Sequence, residues 1–401
     1  MPPRSRRLAA LLGLSAVAVL SAAPSPATAA PISGSYIVTL NSGDPDAAAA
    51  SDARNYGASV DHVYRHALRG YAARMSATAA ARIASLDRVQ SVVQDETVST
   101  DAQTLPTGIN RIDGELSSTI SGNGSGAVAG PGVAIIDTGI DLTHPDLNVV
   151  GGVNCSTGRS YADGNGHGTH TAGTVGAKDD GIGVVGVAPG APLYAVRVLN
   201  NQGSGSWSSI ICGIDWVTAR AATIKVANMS LGGTGTDSAC NDGGMHQAIC
   251  NSVNAGITYA VAAGNESDDA KNHVPAAYDQ VITVSALADF DGLPGGLGAP
   301  TCRADVDDTL ADFSNFGADV DIMAPGVCIL STWKGGGYNT ISGTSMATPH
   351  VTGAAALYLS THAGASPAQV KTALQAAGNL NWNNADDPDA IKETLLNVDA
   401  F

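Results

Sequence analysis

Val133-Ala134-Ile135-Ile136-Asp137-Thr138-Gly139 decides the fold. Its opening apolar run lacks the in-out alternation of a half-exposed strand and suits a parallel strand covered on both faces. A strand of that kind predicts an open α/β sheet, which puts Asp137 at the carboxyl end, where such sheets carry their sites. Downstream, His167 lies in Asn165-Gly166-His167-Gly168-Thr169-His170, and Ser345 in Ser342-Gly343-Thr344-Ser345-Met346-Ala347-Thr348-Pro349-His350. The stretch Met346 to Leu359 has no charge, as a helix buried on all sides requires; Ser345 is then at its N-terminus and Pro349 in its first turn. Free N–H groups and the positive dipole end favour an anion beside Ser345. A hydroxyl becomes a nucleophile when an imidazole takes its proton, and a carboxylate fixes the tautomer and steadies the charge of that imidazole.

The chain order is acid, base, nucleophile. An α/β-hydrolase places Ser first and a chymotrypsin-like protease places His first, so both are disfavoured. Three strings in that order, Asp137-Thr138-Gly139-Ile140-Asp141, Gly166-His167-Gly168-Thr169-His170 and Gly343-Thr344-Ser345-Met346-Ala347-Thr348-Pro349, resemble the signatures of subtilisin-like serine endopeptidases. The likeness runs from about Ala102 to Leu380 and is nearer the proteinase K-like branch in some loops. It implies a three-layer α/β fold with a mostly parallel sheet between helices, and a catalytic set of Asp137, His167 and Ser345. Asn265, closing Ala260-Val261-Ala262-Ala263-Gly264-Asn265, becomes the side-chain oxyanion donor beside the N–H of Ser345.

By the same resemblance a peptide binds as an added strand between Gly203-Ser204-Gly205 and Ser230-Leu231-Gly232-Gly233, where glycine lets another backbone approach. Leu231, Ala262, Ala263, Gly264 and the loop Asn272-His273-Val274 line the first specificity pocket, and Trp207 sits near the fourth. His273 either faces the pocket or is solvated. With no carboxylate on these walls, a broad apolar or aromatic preference is expected rather than a demand for basic residues.

Arg4, Arg6 and Arg7 ahead of the apolar run Leu8 to Leu20, then Ala27-Thr28-Ala29, mark residues 1–29 as a signal peptide, faintly twin-arginine in type. A secreted, extracellular enzyme is expected, with no membrane contact after signal removal, because no later run reaches the ~18 apolar residues of a span. Residues 30–101 are Ala-rich and free of cysteine. A strand at Tyr36–Leu40, helices at Asp46–Tyr56 and Ala77–Leu86, and a closing strand at Val89–Val98 are predicted, with strands between the helices. This segment resembles the small α+β, ferredoxin-like prosegment of subtilases, which implies that the chain's own prosegment is its folding template and inhibitor. The peptidase domain is then 102–401, and cleavage is expected after Asp101 or within three residues of it.

Six cysteines, all in 102–401, favour disulfides in an exported chain. The expected pairs are Cys240 with Cys250, closing a short Gly-rich loop, Cys302 with Cys328 around an insertion, and Cys155 with Cys212 by elimination. Zinc is disfavoured without a paired Cys-x-x-Cys. Lys178-Asp179-Asp180-Gly181-Ile182-Gly183-Val184 resembles the strong calcium loop of the family. That likeness implies structural Ca2+ on the Asp180 side chain and the carbonyls of Lys178, Ile182 and Val184, with Asp146 and Gln103 reaching in. A second, weaker cation site is implied at Asp321 with carbonyls near Asp279 and Val281. Asp305, Asp307, Asp308 and Asp312 are expected on a solvated acidic loop, and His144, His170 and His350 as structural hydrogen bonders.

The net charge of -16 and the lack of a basic run argue against nucleic acid as a partner. Protein or peptide substrates and a monomeric state are expected. An extracellular serine esterase should carry a Gly-x-Ser-x-Gly elbow, and an inactive binding protein should have lost one of the four site residues; neither holds here.

Overall fold

The computed structural model describes residues 31–96, 103–389 and 391–401. The signal peptide and the cleavage point after Asp101 lie outside them. The chain divides into two compact units, Met1–Thr100 and Asp101–Phe401.

In the first unit, strands Pro31–Leu40, Ser59–Tyr64, Gly70–Arg74 and Val89–Glu96 alternate with helices Pro45–Tyr56 and Ala77–Ala84 in the order βαββαβ. The four strands form one antiparallel sheet in which Pro31–Leu40 lies between Gly70–Arg74 and Val89–Glu96. The helices start on side-chain caps, Asp44 on the N–H of Asp46 and Ser76 on that of Ala79. They cover one face through Ala48, Ala49, Ala79, Ala80 and Ile83, packed on Val38, Tyr71 and Ala73. Inside it Asp52 is fully buried, and it is compensated by the Tyr71 hydroxyl at 2.5 Å and the guanidinium of Arg88.

The second unit is built on seven parallel strands, in spatial order Val149–Asn154, Leu193–Arg197, Gly132–Asp137, Ile224–Met229, Thr258–Ala262, Ile282–Ala288 and Ile322–Pro325, with a short antiparallel strand, Thr309–Leu310, at the far side. Both faces are covered, as the apolar run predicts. Val133 and Ile135 face a core shared with helices His167–Gly176, Thr344–Thr361 and Pro367–Ala377. Ala134 and Ile136 face the opposite core, under helices Trp207–Thr218 and Met245–Asn254. The result is the expected three-layer α/β arrangement.

The central helix Thr344–Thr361 differs in one detail from its prediction. Pro349 falls in its second turn rather than the first. A proline there has no N–H for the carbonyl four residues back. That carbonyl belongs to Ser345, and the Ser230 hydroxyl donates to it at 2.8 Å instead. A local helix defect thus ties the helix start to the neighbouring strand end.

Candidate active site

Asp137 ends its strand fully buried, and His167 is the first residue of helix His167–Gly176. The imidazole Nδ1 lies 2.8 Å from Asp137 Oδ1 and 2.9 Å from Oδ2. Two features bring them together. Gly168 lets the helix start close on the strand end, since a Cβ there would lie 2.1 Å from the Gly139 carbonyl. Asp163 accepts from the N–H groups of Asn165, Gly166 and Thr169 at the helix start, and from the hydroxyl of Thr138 beside Asp137. Burial disfavours the charged imidazole, but the charge and hydrogen bond of Asp137, with the charge of Asp163, outweigh it and hold His167 above its usual pKa. His170 and His350 are pushed by burial down to about 3 and about 4, so both stay neutral. They donate to backbone carbonyls, His170 Nε2 to Ile329 and His350 Nδ1 to Met346, and His144 Nε2 meets the carbonyl of Gly337.

On the other side, Ser345 lies in the first turn of its helix, where backbone N–H groups have no intrahelical partner. Its hydroxyl donates to the Ser230 carbonyl at 3.3 Å. Asn265 follows the strand Thr258–Ala262, and its Oδ1 accepts from both the N–H (2.8 Å) and the hydroxyl (3.0 Å) of Thr344. With the oxygen taken by two donors, the Nδ2 end of Asn265 is the one left to offer hydrogen bonds.

A cleft of about 790 Å³ runs beside His167. Gly203, Ser204, Gly205, Trp207, Ser230, Leu231 and Gly232 line it, together with Thr138, Asn165, Leu199, Ser206 and Ile210, which sequence reasoning did not single out. Gly233 packs close to Trp207, where an added Cβ would meet the ring at 3.2 Å. Ala262, Ala263 and Gly264 stand at the end of the strand that leads to Asn265. His273 is not a solvated loop residue. It sits in a short strand paired with Thr234, largely buried, with Nε2 3.1 Å from Asp268 and Nδ1 3.6 Å from Glu266.

The structure joins Cys155 to Cys212, Cys240 to Cys250 and Cys302 to Cys328. In the loop Lys178–Val184, the Gln103 amide donates to the carbonyls of Lys178 (2.7 Å) and Val184 (3.2 Å), and exposed Asp180 accepts from the N–H of Ile182. Two buried oxygens of this group, Gln103 Oε1 and Asp146 Oδ1, have no hydrogen-bond partner. Burial pushes Asp146 up to about 6.

Two expectations need correction. At Asp321 the expected second cation has a resident substitute: the ammonium of Lys371, from helix Pro367–Ala377, is 2.7 Å from Asp321 Oδ1, 2.9 Å from the Val281 carbonyl and 3.3 Å from that of Asp279. A lysine has three donors for three oxygens, and its charge offsets the partly buried carboxylate. Nor are the acids of the 305–312 segment all solvated. Asp305, Asp307 and Asp308 are buried, Asp308 on the guanidinium of Arg111 (2.6 Å), Asp305 on Arg303 (2.9 Å), and Asp307 on the N–H groups of Phe290 and Gly298; only Asp312 is exposed.

Comparison with known proteins places this geometry. Residues 129–389 match the subtilase family of peptidases, and residues 35–101 match peptidase inhibitor I9. Subtilisin DY of Bacillus licheniformis is 41% identical over 303 residues, which span 75% of this chain and 99% of that protein. An extracellular serine proteinase of Thermus sp. is 42% identical over 327 residues, 79% of this chain and 73% of that one. The crystal structure of a cold adapted subtilisin-like serine proteinase superposes with a TM-score of 0.59 at 34% identity, covering 73% of this chain and 97% of its own. The chain belongs to the subtilase family. It is a serine-type endopeptidase of subtilisin-like fold, preceded by an I9-type prosegment.

Proposed function

We propose that the enzyme cuts peptide bonds through Asp137, His167 and Ser345, by way of an acyl-enzyme, and that it is secreted and matures by its own activity. The 2.8 Å contact between His167 and Asp137, beside a cleft also lined by Ser230, the hydrogen-bond partner of Ser345, carries this reading. The Ser345 hydroxyl leaves the Ser230 carbonyl by rotation about its Cα–Cβ bond and gives its proton to His167 Nε2 as Oγ attacks the scissile carbonyl. The oxyanion is met by Asn265 Nδ2 and the N–H of Ser345, both in place before the charge develops. His167 then protonates the leaving amine, and a water, deprotonated by the same imidazole, releases the acyl group. Apolar Leu231 and the alanines beside Asn265 support a broad apolar or aromatic preference.

Calcium suits the loop Lys178–Val184. The unpartnered oxygens of Gln103 and Asp146 are hard ligands next to the carbonyls of Lys178 and Val184, and turning the Gln103 amide over presents its oxygen to the same place. Gln103, Asp146, Lys178, Asp180, Ile182 and Val184 would hold the ion, whose role is to tie three chain segments together. Secretion is supported by the leader and the three disulfides. Among the described residues, no helix is long and apolar enough to cross a membrane.

Replacing Ser345 with Ala tests the central reading. The purified precursor should neither hydrolyse peptides nor remove its prosegment; unaided maturation of that variant refutes self-processing, and residual peptidase activity above about a hundredth of wild type refutes the nucleophile.

A further inference from the structure

Beneath the turn that carries Asn265 lies a side chain outside the three signatures. Asn315 is fully buried, and both ends of its amide hold that turn. Its Oδ1 accepts from the N–H groups of Glu266 and Asp268, each at 3.0 Å. Its Nδ2 donates to the Ala263 carbonyl at 2.9 Å and to Glu266 Oε2 at 3.0 Å, and its own N–H donates to the Gly264 carbonyl at 3.0 Å. Glu266 Oε2 in turn accepts the N–H of Asn265 at 2.8 Å. Gly264 adopts φ +110°, and a Cβ there would lie 2.3 Å from Asn315 Nδ2, so the turn is wrapped on this amide with no room between. Thr344 holds the tip of Asn265, and its hydroxyl also accepts from the Gly264 N–H at 3.2 Å; the rest of the backbone from which that tip extends is set from below by Asn315.

We propose that Asn315 is a positioning residue of the peptidase reaction: it fixes the 263–268 turn so that Asn265 Nδ2 points where the oxyanion forms. The proposal rests on reading Asn265 as the oxyanion donor. A donor stabilises that charge only if it is aimed beforehand, and a shift well under an ångström weakens it. Truncating a buried amide also strands the groups it satisfied, so the turn must rearrange to find water.

The test compares mature wild type, Asn265→Ala, Asn315→Ala and the double variant, with enzyme concentrations set by active-site titration. Asn315→Ala should lower kcat about ten- to a hundredfold with KM within about twofold, a smaller loss than removal of the donor itself. Affinity for a peptide aldehyde, whose adduct with Ser345 puts an oxygen in the oxyanion position, should fall by a similar factor, while a product peptide binds as before. In the Asn265→Ala background, Asn315→Ala should cost less than about threefold more, because the group it aims is gone. If Asn315→Ala does not accumulate folded, Asn315→Ser, which keeps one polar atom, is measured in the same way. Wild-type kcat in a folded Asn315 variant, or losses that multiply in the double variant, overturns the positioning role. Unchanged kcat in Asn265→Ala overturns instead the reading of the site on which it rests.

Discussion

Asp137 and His167 meet side chain to side chain at 2.8 and 2.9 Å, each projecting from the first or last residue of a regular element. Asn265 and Ser345 do not touch in this way. They are related through Thr344, which gives two hydrogen bonds to Asn265, and through Ser230, which bonds the Ser345 carbonyl and receives its hydroxyl. The acid–base half therefore turns on one side-chain pairing between two named residues, with glycine providing the space and Asp163 anchoring the helix start. The oxyanion half depends on a chain of backbone and side-chain bonds, in which no single pair defines the geometry. One half should fail abruptly when a partner changes, and the other by degrees.

The largest loss should follow Asp137→Asn. The amide can neither hold the same tautomer of His167 nor steady its charge, and turnover should drop on the order of ten-thousandfold, by analogy with the same change in another serine protease triad. Steady-state hydrolysis of a peptide substrate at pH 8 measures it; more than about a tenth of wild-type turnover would remove the acid–base half from the mechanism. Asn265→Ala should cost less, about a hundredfold to a thousandfold in kcat. That magnitude belongs to the side-chain donor of subtilisin and is carried over by family membership. Equal losses in the two variants would erase the contrast.

A third effect separates the halves by proton. His167 accepts the Ser345 proton only when neutral, and its pKa is raised, so activity should be lost as pH falls through a midpoint above the usual ~6.5. The slope of log kcat/KM should be about one decade per pH unit below that midpoint. A midpoint at or below 6.5 would mean that burial outweighs Asp137 and Asp163. Asn265→Ala should leave the midpoint in place, because the amide it removes does not titrate. The smallest effect on turnover should come from calcium. Chelation should lower the thermal midpoint and leave kcat of the folded enzyme unchanged, as the ligand loop lies outside both halves. A ligand bound only by the folded state stabilises it by about 2.7 kcal/mol at a hundredfold excess over Kd. Asp180→Ala should remove most of that increment in a thermal melt; an undiminished calcium shift would relocate the site.

How much was legible follows the same division. The buried parallel strand, its terminal acid and the buried helix after Ser345 were written in the apolar run Val133–Ile136 and in the uncharged stretch that follows the serine; the three layers came with the family resemblance. Local patterns decide local outcomes. Thr138, Asn165 and Ser206 are chain neighbours of residues already singled out, whereas the other residues missed or misplaced owe their place to long-range contact. Asn315 is 50 positions from Asn265 and looks like an ordinary turn former. Lys371 is 50 positions from Asp321, and nothing in its helix announces that its ammonium stands among three oxygens. Asp308 looks solvated until Arg111, some 200 residues upstream, is folded against it, and Asp307 until the N–H groups of Phe290 and Gly298 close on it. Even the Pro349 defect needed its partner, Ser230, to become intelligible.

Lys371 also bears on how the enzyme senses its surroundings. An ammonium tethered to a helix cannot dissociate into the medium, and its effective concentration at Asp321 is set by the fold rather than by the solution. No chelator removes it and no dilution empties its place. A calcium ion at the Gln103 loop would be exchangeable, occupied in proportion to what the medium provides. Of the two cation demands implied in the sequence, the one at Asp321 is therefore hard-wired, and the one at the Gln103 loop would be borrowed, so that through calcium there the ionic content of the environment would set how long the enzyme survives.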